Sequence, residues 1–277
     1  MKKLILFTTF AFLLIAIIER NSFAQATPQQ IEVPVNNNDK TIQLFNGKNF
    51  DGWYTFLKDR GRDNDPKNVF TVKDGIIRIS GEEWGCITTN AEYENYHLVT
   101  EFKWGELAFE PRLDKARDSG ILLHSRGEDG SSGGIWINSI ECQIIEGGTG
   151  DFIVVGDGSD KFQITGTVAS EKQGNSFVFQ PEGRKETINK GRINWFARDP
   201  AWKDALGFRG EKDVEKAIGE WNKLECIAEN GTIFIFLNDI LVNRATDVKP
   251  QKGRIQIQSE SAEIFFRKVE LTPSKTD

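Results

Sequence analysis

The sequence predicts an all-β sandwich of many short strands, and three observations support this. Short runs rich in Ile, Val, Phe and Trp recur from about Thr41 to Leu271. Asp-Gly and Asn-Gly pairs punctuate them, and such pairs accept the positive φ angles of two-residue hairpin turns. Helical periodicity never exceeds one or two turns, apart from a candidate segment at Asp213 to Glu220 (DVEKAIGE).

In chain order, Lys2 and Lys3 form a basic n-region and Leu4 to Ile18 an apolar h-region. The apolar run is too short to span a bilayer, and Ala24 and Ala26 supply a cleavage pattern. A secretory signal peptide is therefore expected over residues 1–26, which places the mature protein outside the cell or in a periplasm. A polar leader follows over 27–40, then one sandwich domain over 41–272 and a short tail over 273–277. No later stretch is apolar enough to span a membrane as a helix. VFTVKDGIIRIS is read as a hairpin turning at Asp74-Gly75, and ECIAENGTIFIF as one turning at Asn230-Gly231. Two loops, 105–118 and 197–219, have the length at which the rim of a sandwich builds binding sites.

The net charge is −6, and removing residues 1–26, with a net +2, leaves −8. An acidic chain without a basic cluster is a poor partner for nucleic acid or anionic membranes. It suits a neutral or cationic small ligand. Cys86, Cys142 and Cys226 lack metal-site spacing, and Cys142 and Cys226 lie in apolar runs, so buried free thiols are expected. No calcium-loop pattern occurs, so neither metal nor cofactor is expected.

The stretch from Asp118 to Asp151 carries the most chemistry. It holds two apolar runs with polar side chains at alternate positions. Strict strand alternation puts Leu122, His124 and Arg126 on one face, and Glu141 and Gln143 on one face of the next strand. An imidazole, a guanidinium, a carboxylate and an amide would then share one sheet surface, as on the floor of a cleft. His124 and Glu141 are the candidate catalytic pair. Arg126, Gln143, Glu146, Asp151, Trp136 and Trp202 are the candidate substrate contacts. For His124 the competing reading is a strand histidine bonded to backbone. For Glu146 and Asp151 it is plain turn chemistry beside Gly147, Gly148 and Gly150. The remaining tryptophans, Trp84 among them, are read as packing.

Several phrases, in order, resemble a known family. They are LFNGKNFDGW (Leu44 to Trp53), the SGI and ECQ runs above, GEWNKLE (Gly219 to Glu225), LND (Leu237 to Asp239) and GRIQIQSESAEIFFRKVEL (Gly253 to Leu271). Together they are similar to the 3-keto-disaccharide hydrolase domain family. The chain departs from its pattern at Ser261, where Gly is usual, at Lys268, where Asn is usual, and at LND, where NG is usual. The resemblance implies a concanavalin A-like jelly-roll sandwich of two curved antiparallel sheets with a sugar-sized cleft. It implies secreted or periplasmic enzymes acting on small carbohydrates, namely glycosides oxidised at C3.

A ketone at C3 acidifies the proton on C2, so a base can form the enolate and expel the aglycone from C1. Water then adds to the enone. This needs a general base, a donor to the enolate oxygen and an acid for the leaving group. His124 could act as base and Glu141 as base or acid. Arg126 could hold the enolate, and Gln143 could orient hydroxyls. The paired-carboxylate spacing of ordinary jelly-roll glucanases is absent, because Gln143 stands two residues after Glu141. The rival reading is a non-catalytic carbohydrate-binding module.

Overall fold

The computed structural model describes residues 40–274. The predicted signal peptide (1–26), the leader to residue 39 and the tail beyond 274 lie outside the described residues. Nineteen strands form, and no helix occurs among the described residues. In order they are β1 (Ile42–Gln43), β2 (Trp53–Leu57), β3 (Gly61–Arg62), β4 (Phe70–Lys73), β5 (Ile76–Ile79), β6 (Gly85–Thr89) and β7 (Tyr96–Ala108). Next come β8 (Asp118–Ser125), β9 (Ser139–Ile145), β10 (Phe152–Val155), β11 (Gln163–Val168), β12 (Phe177–Val178), β13 (Arg184–Ile188) and β14 (Gly191–Asn194). The last are β15 (Asn222–Glu229), β16 (Thr232–Leu237), β17 (Ile240–Lys249), β18 (Arg254–Ser259) and β19 (Ala262–Pro273).

They build a jelly-roll sandwich. The first sheet runs β13-β11-β17-β16-β15-β7-β19-β5-β4, with β1 pairing β19. The second runs β12-β14-β10-β9-β8-β18-β6-β2-β3. Both expected hairpins form. Asp74 and Gly75 join β4 to β5 with φ of 52° and 76°, and Asn230 and Gly231 join β15 to β16 with φ of 46° and 75°. The helix expected over 213–220 does not form. That segment turns instead, with Glu215 bonded inward to Trp104 Nε1 at 2.7 Å and Thr149 Oγ1 at 3.0 Å.

The core lies between the sheets. From β7 it takes Leu98, Phe102 and Trp104, one side chain in two, the others facing outward. From β8 and β9 it takes Ile121, Leu123, Ile140, Cys142 and Ile144. Each such aliphatic side chain contributes about 1.5–3 kcal/mol by leaving water. All three cysteines are buried and free. Every residue of β8 and β9 is buried, unlike the half-wet strand β7. Something must therefore cover the second face of that strand pair. The β8–β9 connection (126–138) does part of this. Ile137 N donates to the Gln256 side chain at 3.0 Å, and Asp129 accepts from Tyr54 OH at 2.7 Å. The connection thus folds back over β2, β6 and β18.

A carboxyl cluster on the covered face of the second sheet

Register fixes which side chains share that face, because residues directly opposite in a ladder point the same way. One row runs across the sheet from Arg192 (β14) through Ile153, Glu141, Leu122, Gln256 and Thr88 to Tyr54 (β2). The adjoining row places Gln143 opposite Gly120. Gly120 is required there. A Cβ on it would strike the Glu141 carboxylate and come within 2.6 Å of Gln258 Oε1.

Three carboxyl groups gather on this face. Glu141 is 4% exposed and hydrogen-bonded by Gln258. Burial, and then the charge of Asp118, push its pKa up to about 8. The backbone of Asp118, at the start of β8, forms an isolated antiparallel bridge with that of Glu260 just beyond β18. Burial first and Glu260 second raise the Asp118 pKa well above the usual carboxylate range. Glu260 keeps partial contact with solvent. Burial and the charge of Glu141 lift it to about 7.

Two guanidinium groups oppose them. Arg112 Nη2 lies 3.2 Å from Asp118 and 2.9 Å from Asp204. Arg192 donates to Gln143 Oε1 at 3.2 Å and lies 3.5 Å from Asp151. Gln143 also donates to Asp118 and to Ser119 O. Asp118, Glu141 and Glu260 share these two guanidinium groups with Asp204 and Asp151, which leaves negative charge uncompensated in a low dielectric, so the cluster retains a proton near neutrality. Two buried polar atoms here lack partners: Arg112 Nε, a donor, and Gln258 Oε1, an acceptor. Buried polar atoms are rarely left unpaired, so both keep unused hydrogen-bonding capacity beside the carboxyl groups. No group of three or more His, Cys, Asp or Glu suited to a metal ion occurs among the described residues.

The predicted site residues divide. Glu141 and Gln143 share the face as their spacing implied. His124 does not join them. Strict alternation fails because β8 bulges: Ser125 pairs with Arg254 and Leu122 with Gln256, so two residues oppose one. His124 sits in the bulge at φ 52°. Its ring turns into the sandwich, edge-on to Tyr96 of β7 at 5.6 Å. Nδ1–H donates to Pro250 O at 2.8 Å, while Nε2 is buried without a partner. Burial lowers its pKa to about 4, so it stays neutral at working pH. The shared face expected for His124, Arg126 and Glu141 is thus corrected. Arg126 is half exposed and meets Glu92 at 3.4 Å, away from the carboxyl cluster.

Glu146 and Asp151 pin the loop after β9. Glu146 is bonded by Arg117 at 2.8 Å and by the amides of Arg117 and Gly207, each at 2.9 Å. Asp151 is bonded by Arg198 and by Trp195 N at 2.7 Å. Trp202 lies over this loop. Its Nε1 donates to Glu146 O at 2.9 Å, and Arg198 stacks 4.1 Å from its ring centre. Trp136 stands on the folded-back connection, near-parallel to Trp84 at 6.5 Å. Sequence reasoning missed Glu260, Arg112, Arg192, Gln258 and Asp118 as site residues. Alternation could have found Arg192, whose neighbour Ile193 is in the core. Nothing local marks Glu260 or Arg112.

The fold and site together define a jelly-roll sandwich with a buried acid–base cluster on one sheet. The chain belongs to the family of 3-keto-alpha-glucoside-1,2-lyase-like domains, which its residues 40–272 match. The 3-keto-disaccharide hydrolase of Bacteroides thetaiotaomicron is 27% identical over 139 residues, 48% of this chain and 46% of that protein. The match thus spans about half the length of that relative. Among solved structures, a provisionally assigned glycosyl hydrolase from Parabacteroides distasonis is 17% identical with a TM-score of 0.49. The alignment covers 85% of this chain and 94% of that one. A β-glucanase of Bacillus licheniformis is 11% identical with a TM-score of 0.43, covering 87% of this chain and 100% of that one.

Proposed function

We propose that the protein cleaves 3-keto-glycosides at the C1–O bond by elimination followed by hydration, giving net hydrolysis. The observation that carries this reading is the cluster of Asp118, Glu141 and Glu260 facing two guanidinium groups. Removing a proton beside a ketone needs a base whose pKa lies near working pH, and ordinary exposed carboxylates lie too low. Glu260, at about 7 and nearest solvent, is the base that takes the C2 proton. The electron pair forms an enolate on the C3 oxygen, which Arg192 stabilises by charge and hydrogen bonding. The enolate then collapses, forming a C1–C2 double bond and breaking C1–O. Glu141, at about 8 and mostly protonated at pH 7, gives its proton to the departing oxygen. Water adds to C1 and a proton returns to C2. Asp118 and Gln143 hold the sugar hydroxyls. The family and the Bacteroides relative's name support the substrate class.

The basic n-region and apolar run of residues 1–26 add the proposal that the mature enzyme works after export. N-terminal sequencing of exported protein beginning at Thr27 supports this, and recovery of the protein only from the cytoplasmic fraction with Met1 intact overturns it.

The test of function is incubation with 3-keto-trehalose and 3-keto-lactose, following free sugar by chromatography. Release by the natural protein and its loss in Glu141→Gln support the reading. Equal release by both proteins overturns it. Binding of unoxidised sugar without turnover of either keto-glycoside also overturns it, in favour of a carbohydrate-binding module.

A further inference from the structure

We propose that Trp84 and Trp136 form an aromatic wall that binds the leaving-group sugar of a disaccharide substrate. This deepens the glycoside reading above and rests on it.

The two indoles come from distant segments. Trp84 lies in the β5–β6 connection and Trp136 in the β8–β9 connection. Their rings are inclined by 21° with centres 6.5 Å apart, and both are half-buried. Buried core packing does not describe them, because each keeps part of its surface open. Near-parallel, partly open indoles offer flat apolar surface to the CH face of a pyranose.

Their position ties them to the carboxyl cluster. Trp84 Nε1 donates to Ser261 Oγ at 2.6 Å, and Ser261 directly follows Glu260. Ser259, on the other side of Glu260, donates to Glu83 O at 2.7 Å. Glu260 therefore sits between two bonds to the segment that carries Trp84. Trp136 adjoins Ile137, whose amide holds Gln256, and Gln256 lies in the same row as Glu141.

Ser261 adds a second line of argument. Its φ is 60°, a conformation that favours glycine and costs a serine about 1–2 kcal/mol. The hydroxyl is nevertheless used, and what it fixes is the indole of Trp84. Beside that indole opens a hollow of about 420 Å³. Lys58, Arg60, Glu83 and Glu110 line it together with Trp84 and Pro111. Trp84 alone of the pair lines this hollow, with Trp136 stacked beside it, and a flat apolar ring among charged hydrogen-bonding side chains is the composition that sugar-sized sites use. The sugar bearing C2 and C3 must lie at Glu260 and Arg192. The group leaving from C1 then extends toward the wall. The ligand class is a neutral hexose linked through oxygen.

The test uses calorimetric binding in the Glu141→Gln background, where turnover does not intervene. The probes are 3-keto-trehalose and methyl 3-keto-α-glucoside, which differ only in the leaving group. The expected result is about tenfold tighter binding of the disaccharide, with most of that ratio lost in Trp136→Ala and restored in Trp136→Phe. Trp84→Phe, which keeps a ring but loses the bond to Ser261, narrows the ratio partially. A pair that merely packs the rim would lower Tm and weaken both ligands alike, and that result overturns the wall. An unchanged ratio in Trp136→Ala, or no heat with either ligand at 10 mM, overturns it as well. Failure of the natural protein to turn over keto-glycosides would overturn the proposed reaction alone, because the binding ratio is read without turnover.

Discussion

The β8–β9 strand pair buries His124 and Glu141 on its two opposite faces, with opposite outcomes. On the inner face His124 lies in a bulge against Tyr96, and burial lowers its pKa to about 4. On the covered face, burial raises Glu141 to about 8. The same desolvation favours the neutral form in both cases. What differs is the company. Around Glu141 stand Asp118, Arg192 and Gln258, charged and amide groups from three other strands. The imidazole has one carbonyl partner and a wall of core side chains. Burial perturbs a group, but chemistry needs neighbours that can exchange charge with a ligand.

The largest expected effect separates the two faces directly. Glu141→Gln should lower kcat on a keto-glycoside by about 10²–10⁴-fold, the usual worth of a positioned acid, read by sugar release. Arg192→Met should lower kcat by about 10²-fold with a smaller change in KM, because its charge acts chiefly on the enolate. His124→Asn tolerates the positive φ and should leave kcat within about twofold, while lowering stability by about 2 kcal/mol in a urea melt. A large kcat loss in His124→Asn with intact stability would reverse the comparison.

The pH dependence of stability should run in opposite directions on the two faces. The folded pKa of Glu141 lies above the unfolded value of 4.5. Between about 4.5 and 8 the unfolded chain has released a proton that the folded chain keeps, so stability falls as pH rises. Glu141→Gln should therefore be more stable than the natural protein at pH 9, by about 2–4 kcal/mol, and nearly equal to it at pH 4. His124 behaves inversely. Its folded pKa lies below 6.5, so the unfolded chain binds the extra proton and stability falls as pH drops from about 6.5 to 4. His124→Asn should flatten that acid limb. The activity profile should be bell-shaped with limbs near 7 and 8. Glu260→Gln should abolish the lower limb along with most of the activity.

The comparison also shows what the sequence could and could not reveal. The hairpins at Asp74-Gly75 and Asn230-Gly231 were legible because positive φ is a local demand met by local residue types. The shared face of Glu141 and Gln143 was legible because β9 alternates without interruption. His124 was not, because one bulge residue inverts every later side chain and no Gly or Pro marks the place. Asp118, Arg112, Arg192 and Glu260 converge from four segments, and only the strand order brings them together. Glu146 and Asp151 looked like rim carboxylates. Their partners Arg117 and Arg198 stand far enough away in sequence that loop pinning could not be told from ligand contact.

The folded-back β8–β9 connection has a consequence for the size of molecule admitted. By closing over β2, β6 and β18 it covers that end of the second sheet's outer face. A ligand laid across the full width of the strands would meet the connection at Ile137, whose amide is bonded to Gln256. Trimming residues 128–137 would uncover the side chains of β2 and β18 that the connection holds, Tyr54 and Gln256.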